Sequence, residues 1–308
     1  MDVELNVTYL VFGGHVEVHK YGFLYFLIMF IVYILILCSN STIVCVIWIH
    51  KKLHEPMYIF IAALLVNSVL FSTVIYPKLL IDFLSEEQII SLTACICQCF
   101  LFYSLGGAEF LLLTAMAYDR YVSICKPLKY STIMSKTTVI VLLALAWLVP
   151  STQVAASLIL ESRSKVCRST LSGIFCNVSI SGLFCELSKF VTVKDLIMLL
   201  NIALLPGLFI LFTYSRILII SYKSGREVRK KAAQTCLPHL IILVNYTCLC
   251  VFDVIIVGHE SDLPKTVRFI MTLQMVLYHP LLNPIIYGLK MKEITKHLKR
   301  LFCPDKLK

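Results

Sequence analysis

Charge is what this sequence has least of. Asp, Glu, Lys and Arg make up 15% of the 308 residues and hydrophobic residues 59%, a balance too apolar for a water-soluble domain of ordinary composition. Acids are scarcer than bases, 18 against 28, which leaves a net charge of +10. The marks of common enzymes are missing as well. No His and Glu cluster at metal-ligand spacing, no Gly-rich phosphate loop and no nucleophile motif occurs, and His239 and His279 stand isolated along the chain. There is no internal repeat and no pairing of charges inside apolar segments, which argues against a transporter or channel. The first 20 residues carry Asp2, Glu4 and Glu17 instead of a basic start and an apolar run, so no cleavable secretory signal is expected.

What the sequence has in abundance is long uncharged stretches. Crossing a hydrocarbon layer of about 30 Å takes roughly 20 apolar residues in a helix. Seven regions meet that length: 21–49, 57–77, 89–118 interrupted only by Glu109, 137–160, 196–215, 232–252 and 269–289. The expectation is an all-α membrane protein, a bundle of seven transmembrane helices over 21–289, preceded by an extracellular tail, 1–20, and followed by a cytoplasmic segment, 290–308. Most Lys and Arg fall in the segments that an outside amino terminus would place in the cytosol: Lys51 and Lys52, Lys126 to Lys136, Arg216 to Lys231, and Lys290 onward. That excess fixes orientation by the positive-inside rule, and it directs the basic charge to the membrane surface and not to nucleic acid.

Thirteen cysteines divide by compartment. Those within spans behave as small apolar side chains. Cys95, Cys167, Cys176 and Cys185 lie on the outer side, where bridges form, and four cysteines permit three pairings. Three of them fall within the long outer segment 161–193, which has no long apolar run and reads as a stapled lid. Asn6-Val7-Thr8 is a glycosylation acceptor in the outer tail, and Asn177-Val178-Ser179 a second within the lid. At the inner end, Met291, Ile294, Leu298, Leu301 and Phe302 recur at helical spacing among lysines, the pattern of an amphipathic helix on an anionic leaflet. Cys303 just beyond it is a candidate for palmitoylation.

Cys95 and Arg120 are 25 residues apart, or roughly 37 Å along a helix, so they mark opposite faces of the bilayer. By charge alone Arg120 reads as a snorkelling anchor. Its neighbours are more specific. Met116-Ala117-Tyr118-Asp119-Arg120-Tyr121-Val122-Ser123-Ile124-Cys125-Lys126-Pro127-Leu128 resembles the signature that ends the third helix of odorant receptors, a branch of the rhodopsin-like G-protein-coupled receptors. Similar blocks follow in order. They are Leu53-His54-Glu55-Pro56-Met57-Tyr58 before the second helix, the run from Lys231 to Leu240 before the sixth, and Pro280-Leu281-Leu282-Asn283-Pro284-Ile285-Ile286-Tyr287-Gly288 ending the seventh. Pro238 and the Leu-Val-Asn-Ser stretch at 65–68 are similar to the fish-type branch.

The resemblance implies an odorant as ligand, a heterotrimeric G protein, of the stimulatory, cAMP-raising kind, as partner, and a plasma-membrane location. It requires no cofactor. It implies that Arg120 is held by Asp119 at rest, beside Tyr121, and that Tyr214 and Tyr287, in the Asn283-Pro284 segment, support the opened state. It also implies bridges Cys95–Cys176 and Cys167–Cys185. A rhodopsin-like receptor for an internal hormone or metabolite is the competing reading. Glu109 lies roughly 16 Å outward of Arg120 on the same helix, near mid-bilayer. Three readings are open: it is protonated, it belongs to a polar network with Asn40, Ser68 and Asn283, or it forms part of a sodium site like that of the wider class, although the second carboxylate of that site is replaced here by Ser68. Thr247 stands where the family usually has an aromatic, so Tyr246 is expected to take that role. Helical spacing outward of Glu109 gives the expected ligand-facing set: Phe102, Tyr103, Gly106, Met198, Asn201, Ile202, Tyr246, Cys250 and Asp253.

Overall fold

The structure, a computed structural model, describes residues 8–161, 165–185, 197–198, 200–223, 225, 236–251 and 263–302. Helices α1 (Val18–Ile49), α2 (Pro56–Leu84), α3 (Leu92–Cys125) and α4 (Lys136–Glu161) run longer than the apolar stretches that announce them. The same holds for α7 (Lys265–Lys290), while α5 (Leu205–Lys223) begins inside its stretch and continues past the inner end of it. Backbone hydrogen bonds do not stop where side-chain hydrophobicity does, so each helix carries on into the polar margin of the bilayer. Six helices are long and apolar enough to span a membrane, and the shorter apolar helix α6 (Cys236–Val251) completes seven.

Several boundaries depend on chemistry other than apolar length. Pro56 opens α2 at a position where its missing N–H costs nothing. Pro77, where the apolar run ended, is crossed, and the helix reaches Leu84. The run at 89–118 does not start as helix: Ile89–Ser91 is strand β2, and α3 begins at Leu92 with the Ser91 hydroxyl accepting the Ala94 N–H at 3.2 Å. Leu200–Leu204 forms a π-helical turn just before Pro206, accommodating the proline's missing donor.

The helices pack around α3, which lies against α2, α4 and α5, while α1, α2 and α7 form the other side. The inner half of the bundle holds the largest core cluster, running from Ile43 and Phe60 through Leu112 and Met116 to Tyr287 and Ile294. α8 (Lys292–Phe302) follows α7. Its apolar stripe is not left wholly to lipid. Ile294 is fully buried, Leu298 packs near Gly288, and the Thr295 hydroxyl donates to the Gly288 carbonyl at 2.7 Å.

The outer end departs from a purely helical expectation. Tyr9–Phe12 forms β1, which lies between β2, antiparallel, and β3 (Thr170–Leu171), parallel. The segment read as a free tail is therefore the middle strand of a three-stranded sheet, because the hydrogen bonds of the first outer turn and of the lid meet on it. Val11 N donates to Ser169 O at 2.9 Å and Phe12 N to Gln88 O at 2.8 Å. Leu10 and Phe12 bury their side chains with Ile90, Leu171, Ile180 and Leu183 beneath this sheet. Glu17 turns the chain that follows β1 into α1 with a left-handed backbone, φ 44°.

Candidate functional site

At the inner end of α3 the Arg120 guanidinium is clasped by the neighbouring Asp119 carboxylate, with Nε donating to Oδ2 at 3.0 Å. The second oxygen of Asp119 accepts the Tyr130 hydroxyl at 2.7 Å, from a one-turn helix, Tyr130–Ile133, in the next loop. Burial, reinforced by the Asp119 charge, pushes the Tyr130 phenol well above its ordinary range, so it stays a donor. Tyr121 packs at the edge of the same core. Tyr214 on α5 is buried with its hydroxyl on Nδ1 of His239 on α6, and their rings stack. Tyr287 is fully buried, its hydroxyl directed to the Met116 sulfur at 3.7 Å. Arg120, Tyr214 and Tyr287 thus stand at one end of the bundle, each engaged by a different partner. His239, read as isolated in the sequence, belongs to this cluster, since a residue on α6 meets α5 only through the fold.

About three turns outward of Arg120 on the same helix, Glu109 is fully buried. Its Oε1 accepts from Asn283 Nδ2 at 3.0 Å and its Oε2 from Asn67 Nδ2 at 3.1 Å. Nε2 of His279 stands 3.1 Å from the same Oε2. Asn283 Nδ2 also donates to the Ser68 hydroxyl at 2.9 Å, and Trp147 Nε1 to Asn67 Oδ1 at 3.1 Å. Asn40 does not join this group, contrary to the expectation. Its amide donates to the carbonyls of Ile36 and Pro280, tying α1 to α7. Asn67, Trp147 and His279 were not among the expected members, and His279 is a second isolated histidine that the fold brings to a carboxylate.

Above this centre lies a band of aromatic rings. The Tyr246 hydroxyl donates to the Gly106 carbonyl at 2.7 Å, and its ring lies 4.8 Å from Phe110 and 4.6 Å from His279, centroid to centroid. Thr247 is exposed and bonds back to the Leu243 carbonyl, while Tyr246 is buried. Phe102 is buried between Phe71, Tyr103 and Phe175, at 5.0–5.1 Å each. Phe175 comes from the lid, and neither it nor Phe71 is marked by helical spacing outward of Glu109. Gly106 and Gly107 permit the close approaches: a Cβ on Gly107 would stand 2.6 Å from the Pro150 Cβ and 3.3 Å from Ile202. Ile202 is buried against α3, whereas Asn201 is exposed, because neighbouring side chains on a helical turn point to different faces. Met198 and Cys250 are half-buried. Asp253, Asn6 and Cys303 lie outside the described residues.

Cys95 joins Cys176 and Cys167 joins Cys185, closing the lid to the top of α3 and onto itself. Gln98 reinforces the closure, accepting the Cys176 N–H at 2.9 Å and donating to Val74 O at 3.0 Å. Asn177 is buried under the lid, which makes it a poor glycan acceptor. Under the same roof His15 is nearly sequestered, edge-on to Phe83 and beside Phe12 and Phe269. Burial, with Lys78 and Lys265 adding to it, lowers its pKa to about 4.

A family model described as olfactory receptor matches residues 29–305. The chain is 32% identical to human olfactory receptor 13C2 over 90% of each chain, and 33% identical to human olfactory receptor 2L3 over 92% of each. It is 30% identical to mouse olfactory receptor 4M1 over 98% of each. Among solved structures it is similar to squid rhodopsin, with a TM-score of 0.74 at 19% identity, covering 94% of this chain and 87% of that one. A seven-helix bundle with an inner Asp119-Arg120 clasp, matched along nearly its whole length by such relatives, belongs to the olfactory receptor family.

Proposed function

We propose that this receptor takes a small, mostly apolar odorant among Phe71, Phe102, Tyr103, Gly106, Phe175, Ile202 and Tyr246, and that occupancy is transmitted to a stimulatory, cAMP-raising G protein. As an olfactory receptor it is a multi-pass plasma-membrane protein that binds odorants and acts through G proteins. The observation carrying the ligand reading is the bond from the Tyr246 hydroxyl to the Gly106 carbonyl. It ties α6 to α3 directly above Glu109 and His279, so a ligand wedged beside Gly106 competes with it and frees α6 to move. Apolar rings with few polar groups suit a small organic molecule.

At the inner end the same movement of α6 carries His239 away from Tyr214. Arg120 then exchanges Asp119 for the G protein, and Tyr214 and Tyr287 turn inward behind it. A ligand drives this only in proportion to its differential affinity for the opened state. Lys296 and Lys299 of α8 face the anionic leaflet and hold the segment to lipid.

The test is cAMP accumulation in cells expressing the chain, over a panel of small organic odorants, with Arg120→Ala as control. The expected result is a concentration-dependent rise that Arg120→Ala abolishes at equal surface delivery and that Gly106→Val shifts to higher concentration. A response that survives Arg120→Ala, or no response over a wide panel despite proven surface delivery, refutes the coupling.

A further inference from the structure

The wider rhodopsin-like class implies a sodium ion beside the carboxylate at the centre of the bundle, and here the residues do not fit one. A hard cation needs several oxygen ligands turned toward it. Glu109 meets nitrogens instead: the amides of Asn67 and Asn283 and Nε2 of His279, all at 3.0–3.1 Å. The orientation of Asn67 is forced, because the Trp147 indole can only donate, so it claims Oδ1 and leaves Nδ2 to face Glu109. The Ser68 hydroxyl, standing where a second carboxylate would be, accepts from Asn283 and donates to the Leu64 carbonyl. The Tyr287 hydroxyl is directed to a sulfur. A sodium ion at either oxygen of Glu109 would meet the positive ends of N–H dipoles.

A lone carboxylate buried among apolar helices is costly unless a counter-charge or a proton neutralises it. We propose that the His279 imidazole supplies the counter-charge: the Glu109–His279 pair is a proton-binding site that takes the place of the metal, and the resting receptor holds a proton there instead of sodium. Two aromatic rings flank the imidazole, Tyr246 tilted at 4.6 Å and Phe71 nearly perpendicular at 5.5 Å. Among the described residues, the other titratable groups packed toward the pair are phenols, Tyr246 from α6 and Tyr287 from α7. α2 and α4 contribute only the neutral Asn67, Ser68 and Trp147. His279 touches Tyr246 on one side and Glu109 on the other. The proton therefore lies on the route between the odorant-facing band and the inner clasp.

The experiment uses the purified full chain in lipid nanodiscs without odorant or G protein, so its outcome is independent of the ligand and coupling readings. Unfolding temperature is compared in sodium, potassium and choline chloride at equal ionic strength. The protonation of histidine is read by nitrogen NMR on histidine-labelled receptor at neutral pH. No sodium-specific stabilisation is expected, together with one doubly protonated imidazole signal that His279→Asn removes. The double variant Ser68→Asp, His279→Asn, which restores two carboxylates, is expected to gain sodium-specific stabilisation. A sodium-specific rise in the unfolding temperature of the unmodified chain overturns the proposal, as does a neutral imidazole at His279. The sodium comparison, and the absence of any doubly protonated imidazole signal from the unmodified chain, can each overturn it even if the variants fail to fold.

Discussion

Replacing Tyr130 by Phe removes one hydroxyl and leaves the ring in place. The lost bond is that hydroxyl's donation to Asp119 at 2.7 Å, on the carboxylate that also holds Arg120. A hydrogen bond to a charged group contributes roughly 1.5–3 kcal/mol, and because Tyr130 is only half-buried the lower end applies. If the bond exists only in the resting state, its loss shifts the rest-to-open ratio by about tenfold, since about 1.4 kcal/mol corresponds to a factor of ten. The assay is agonist-free cAMP in cells matched for surface receptor, comparing Tyr130→Phe, Asp119→Asn and the double variant. Basal signal should rise about tenfold in Tyr130→Phe, and adding Asp119→Asn should give less than the product of the two effects, because both act on one carboxylate. Should Asp119→Asn raise the basal signal while Tyr130→Phe leaves it unchanged, the hydroxyl has no part in restraining Arg120 and the reasoning fails.

Three further outcomes are expected. His15 is buried neutral, with its pKa lowered from 6.5 to about 4; stability is therefore complete above pH 6.5 and falls as pH drops toward 4, by about 2 kcal/mol at pH 5. Unfolding temperature measured across that range should show the fall, and His15→Phe should remove it. Gly107→Val places a side chain where Pro150 already stands at 2.6 Å from a Cβ, so a loss of about 1–3 kcal/mol is expected from overpacking, read as a lowered unfolding temperature. Breaking Cys95–Cys176, separated by 81 residues, should cost about 4–5 kcal/mol against about 3 for Cys167–Cys185, separated by 18. Thermal unfolding of Cys95→Ser and Cys167→Ser, each paired with its partner's replacement, decides the order.

Much of the bundle was legible in one dimension because a bilayer imposes a one-dimensional rule. A helix must hide its own backbone polar groups, so uncharged runs of sufficient length announce spans, and lysines beside them announce orientation. The inner clasp was legible for a similar reason, since Asp119 and Arg120 are neighbours in sequence and need no fold to meet. The strand at Tyr9–Phe12 was not, because a four-residue segment becomes β only when Ile89–Ser91 and Thr170–Leu171 bring it partners. His239 and His279 were invisible as site residues for the same reason. Each lies 25 or more residues from the group it meets, Tyr214 in one case and Glu109 in the other. Sequence alone determined how many rods cross the membrane and which way they point, because those depend on local hydrophobicity and charge. Only the tertiary structure decided what Glu109 touches, because contacts between helices are set by packing, which no single helix encodes.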